Sequence, residues 1–118
     1  MHTGDFYKCP DRNWYYRVIS KLNEPKNEMD YNWLFCFMDL DKMEFYKDRR
    51  NVGFFTDMLE KVYDQKEIAR LEDIYQKYGR ESLVASSGGS FFIDWANNVL
   101  DAHNEYKFKV TFDFVEPK

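Results

Sequence analysis

The chain is expected to fold as an α+β two-layer domain: a mainly antiparallel sheet of about four strands with helices on one face, in the order α-β-β-α-α-β-α-β. Three observations predict this. Residues 106–114 alternate strictly between apolar and polar side chains, as a strand with one dry face does. Trp33–Leu40 is apolar at every position but Asp39 and runs through Asp41-Lys42 into a second candidate strand, Met43–Lys47. Three further stretches carry apolar side chains at helical spacing behind residues able to cap a helix.

The elements follow in order. Residues 1–9 read as an irregular lead-in to a single domain spanning residues 1–118. Pro10 can open a helix whose stripe is Trp14, Tyr15, Val18, Ile19 and Leu22. A strand is the alternative, because Trp14, Tyr16 and Val18 also alternate and are good β-formers. A polar loop, Asn23–Asn32, leads into the hairpin just described. Asn51 can cap a helix burying Phe55, Met58, Leu59 and Val62. Asp64 with Glu67 has capping-box spacing, ahead of the stripe Ile68, Leu71, Ile74, Tyr75 and Tyr78, and Gly79 would supply the stop. These two stripes lie nearly opposite one another, so the helix should break near Asp64. Ser82–Ser86 is a short strand candidate. Ser90 can cap a last helix carrying Phe92, Trp95, Ala96, Val99 and Leu100, before the closing strand Tyr106–Phe114.

Composition narrows the function classes. A net charge of -4, with signs interleaved, gives no basic stripe, so nucleic acid is not an expected partner. Two cysteines, Cys9 and Cys36, make no disulfide framework. No apolar run approaches a membrane span, and the start lacks the pattern of a signal peptide. A cytoplasmic, reduced protein with no membrane association is the expectation.

No catalytic signature stands out; no cofactor is expected, and enzymatic activity is left open, chiefly for the nucleotide- or phosphate-binding alternative below. His103 with Asp101 or Glu105 could form a base, but a histidine at a helix end more simply complements the dipole. Asp39, Asp41 and Glu44 could offer oxygens to a hard cation, although such residues are also routine turn formers. The loop Ser87-Gly88-Gly89-Ser90 runs from a strand into a helix N-terminus and could cradle an anion; it lacks the lysine of a P-loop and the third glycine of a dinucleotide fingerprint. Lys47-Asp48-Arg49-Arg50 is the one basic cluster.

The aromatic content, 19% of the chain, is the strongest remaining signal. Phenylalanines and tryptophans follow the periods of the expected elements and so specify a core. Tyr7, Tyr16, Tyr31 and Tyr46 do not, and large amphipathic rings are typical of interface centres. With Asp30 and Asp48 beside them, they form the expected contact surface of a protein-binding module that acts by occlusion. Inhibitors, immunity proteins and phage-encoded antagonists have this size and mild acidity. A nucleotide- or phosphate-binding protein built on Ser87–Ser90, or a homo-oligomer packing through its tyrosines, are the alternatives.

Overall fold

The computed structural model describes residues 1–21, 33–85 and 89–104. Asp30, Tyr31, Ser87, Gly88 and the expected strand 106–114 lie outside them. Five strands form one sheet: β1 (Phe6–Lys8), β2 (Trp14–Lys21), β3 (Trp33–Asp39), β4 (Glu44–Arg50) and β5 (Glu60–Lys61). Their order is β4-β3-β2-β1-β5, and every neighbouring pair is antiparallel. The helices are α1 (Val52–Met58), α2 (Gln65–Ile74) and α3 (Gly89–Ala102). The class is α+β as expected, with five strands among the described residues against the four or so expected.

The main departure is β2, where a helix was expected. Its side chains are buried on both faces: Tyr15, Arg17 and Ile19 on one, Tyr16 and Val18 on the other. A central strand covered on both sides produces adjacent apolar pairs, and Tyr15, Val18 and Ile19 then imitate a helical stripe. Aromatic and β-branched residues favour the strand, and pairing along both edges secures it. The lead-in is also corrected. Phe6 and Tyr7 sit in β1, between β2 and β5, in a strand too short to show a period.

Both faces of the sheet are covered, which separates two cores. Phe6, Tyr15, Ile19, Leu34, Cys36 and Met38 meet Leu71 and Tyr75 from the α2 side and Phe92, Ala96 and Leu100 from α3. On the opposite face Tyr7, Tyr16, Val18, Phe35 and Phe37 pack with Phe55 of α1. The helices are therefore not confined to one face. Asn51 caps α1 as its sequence suggests, accepting the Phe54 N–H at 3.0 Å. The chain leaves the helix at Leu59, earlier than expected, because Glu60 and Lys61 pair with β1. Asp64 then caps α2 through the Glu67 N–H at 3.1 Å.

Beyond Ile74 the helix widens into a π-helical turn, Tyr75–Gly79, rather than stopping at a left-handed glycine. Close approach, not an unusual backbone angle, explains Gly79. A Cβ there would lie 2.9 Å from Cys36 Sγ and 2.9 Å from Tyr75 Cδ1. Gly79→Ala is expected to cost about 1–3 kcal/mol in urea unfolding, the usual penalty of overpacking. Shortening the facing side chain with Cys36→Ala should recover part of that loss, and a neutral single mutant would contradict the close approach.

The expected strand Ser82–Ser86 reduces, within the described residues, to one parallel bridge between Val84 and Lys47. Lys47 N–H donates to Leu83 O at 2.8 Å, and Ala85 N–H donates to Lys47 O at 2.7 Å. The outer edge of β4 is closed further along by its own side chains. Asp48 Oδ1 accepts the Arg49 N–H at 2.8 Å, and Arg50 Nη1 donates to Arg49 O at 2.8 Å. Such capping blunts an edge against unwanted pairing.

Candidate protein-binding surface

Cross-strand register lines up four aromatic rings at one level of the sheet. Tyr7 pairs with Tyr16, Tyr16 with Phe37, and Phe37 with Tyr46. All four face the side covered by α1, but α1 has only seven residues and cannot span the row. Phe55 covers the inner part, with ring centroids 5.4 Å from Tyr7 and 6.5 Å from Tyr16. Exposure consequently rises along the row, from 6% at Tyr7 and 8% at Tyr16 to 39% at Tyr46.

Tyr7 and Tyr16 are thus core residues, which corrects the expectation that they fall outside the inward faces. Their hydroxyls resist ionisation because burial penalises the phenolate, and Tyr16 is pushed up to about 12. Burial likewise raises Tyr46, with the Asp48 carboxylate adding to it. Tyr46 nonetheless keeps a solvent-facing surface while lying against Phe37, 4.9 Å between centroids. Phe37 in turn meets the edge of Trp14 at 5.4 Å, and the Arg12 guanidinium lies 4.7 Å over the Trp14 ring. Arg12, Trp14 and Tyr46 therefore share one end of one face, supported by Phe37. Sequence reasoning missed Arg12 and read Trp14 as helical core. Arg12 lies in the β1–β2 turn, outside β2, so no strand period in the sequence pointed to it.

A polar cleft of about 410 Å³ adjoins this end, between the β1–β2 and β3–β4 turns. Lys8, Asp11, Arg12, Trp14, Asp41 and Lys42 are among its lining residues. Several of its charges are already engaged. Lys8 Nζ donates to Cys9 O at 2.9 Å and Arg12 O at 3.1 Å. Asp39 Oδ1 accepts the N–H groups of Asp41 and Lys42, at 3.0 and 3.1 Å, and so holds the β3–β4 turn. Asn13 Nδ2 donates to Asp41 Oδ1 at 3.1 Å across the two turns. Glu44 is exposed, opposite Asp39 in the ladder. Asp39 and Asp41 thus brace the turns, Glu44 opens β4, and no group of three or more metal-ligating side chains occurs among the described residues.

Asp48 is also buried, beside Phe35 in the register, so it is not a steering charge on the surface. Burial raises its carboxyl above the ordinary value, against the opposing pull of the Arg49 N–H and of Arg50, whose Nη1 is 3.5 Å away. A raised carboxyl pKa contributes stability that is complete below the unfolded value and lost as pH rises through the folded one. Asp48→Asn keeps an oxygen for the Arg49 N–H while removing the buried charge. Its stability relative to the parent should therefore climb as pH rises from about 4, the unfolded carboxyl value, through the raised folded one. Urea unfolding at several pH values measures this; a flat difference would show that Arg50 fully offsets the burial.

The basic cluster is structural in its geometry. Lys47 is fully buried, and the Arg49 guanidinium lies 4.4 Å over the Phe92 ring. Arg50 is placed over Phe54 at 5.7 Å. The basic cluster is consequently spread over both faces of β4 rather than gathered to grip a phosphate. Gly89 and Ser90 open α3. His103 Nε2 is 3.1 Å from Ser20 Oγ, at the far end of β2 from Trp14. Neither Cys9 nor Cys36 is in a disulfide.

No protein-family model, curated protein or solved structure matches the chain. Among the described residues, no helix is long and apolar enough to cross a membrane.

Proposed function

We propose that the protein is a small binding module that occludes a protein partner through the face bearing Arg12, Trp14 and Tyr46. The observation that carries this reading is Tyr46: a tyrosine 39% exposed at the end of an otherwise buried aromatic row, held in place by Phe37. A ring already ordered by its neighbours loses little freedom on binding, and tryptophan, tyrosine and arginine are the residues most often found at binding hot spots. Asp41, Lys42 and Glu44 provide a polar rim around them. Inhibitor, immunity and phage-antagonist proteins working in the cytoplasm are the classes this reading favours.

The test is capture of a stoichiometric partner from native lysate, followed by titration of the purified pair. Tyr46→Ala should weaken that complex by about 30-fold or more, a hot-spot loss of roughly 2 kcal/mol. Because Tyr46 is partly exposed and off the main cores, the same substitution should cost only about 1 kcal/mol or less in urea unfolding, the loss of one cross-strand aromatic pair. Absence of any stoichiometric partner, or a mutant that unfolds yet binds fully when folded, defeats the reading. Sedimentation showing self-association through this face would replace it with a homo-oligomer.

A further inference from the structure

We draw no further inference here: the strongest candidate, the polar cleft of about 410 Å³ between the β1–β2 and β3–β4 turns, adjoins the surface already described, and its exposed Asp11, Arg12, Asp41 and Lys42 balance in charge, so nothing in the structure shows what fills it.

Discussion

Truncating Phe55 to alanine is expected to lower the unfolding free energy by about 3–5 kcal/mol, the range for removing a fully buried phenylalanine. The side chain has no solvent exposure and is the one fully buried residue of α1. Its ring lies 5.5 Å from Phe35, crossing at 82°, and 5.4 Å from Tyr7. Little can collapse into the space it leaves. The sheet below is fixed by its ladders, and a seven-residue helix is too short to persist without packing. The effect should therefore be local as well as global. Amide exchange in Val52–Met58 should accelerate well beyond that in β2 and β3, and the exposure of Tyr16 should shift its titration down from about 12. A loss under about 1 kcal/mol would mean that Phe54 swings into the gap.

Legibility of the sequence depended on how each element is buried. The caps at Asn51 and Asp64 were readable because capping is a local interaction between residues three apart. The β3–β4 hairpin was readable because a continuous apolar run ends at acidic turn residues. Misreading β2 had a physical origin: a strand apolar on both faces loses its period of two, and only its neighbours distinguish it from a buried helix. β1 and β5, at three and two residues, are too short to show a period, and β5 exists through pairing with β1, more than fifty residues earlier, which no local pattern encodes. The aromatic surplus followed the same logic. Tyr7 and Tyr16 seemed superfluous to one core but serve a second one beneath α1, whereas Tyr46 lies where that helix ends. Charge was the least legible property. The run Lys47–Arg50 looks like a solvated connector, yet alternation in β4 sends Lys47 to the α2 side of the sheet and Asp48 to the α1 side.

Lys47 supports the second large prediction. Its ammonium group is buried and donates to Gly79 O at 3.0 Å, Arg80 O at 2.7 Å and Ser82 O at 2.9 Å, with Ser82 Oγ at 3.3 Å. Those carbonyls belong to the end of the α2–π-helical segment and the turn beyond it, where a helix leaves acceptors unsatisfied and its dipole favours a cation. A lysine from β4 thus caps a helix across the sheet, and the same residue's backbone holds the Leu83–Ala85 segment. Lys47→Met keeps most of the volume and removes all three N–H donors of the ammonium. Gly79 O retains the Ser82 N–H at 2.9 Å and the Ser82 hydroxyl at 2.6 Å, but Arg80 O and Ser82 O lose the Lys47 donor. At about 1–3 kcal/mol for each buried group left unpaired, the substitution should cost about 3 kcal/mol. Arginine should not rescue it, since a planar fork cannot converge on carbonyls arranged around a compact ammonium. The expected signature is faster amide exchange at Lys47 and Ala85, with α1 and the aromatic row left intact. Equal exchange acceleration across both cores would show instead that Lys47 holds the whole sheet rather than one helix end.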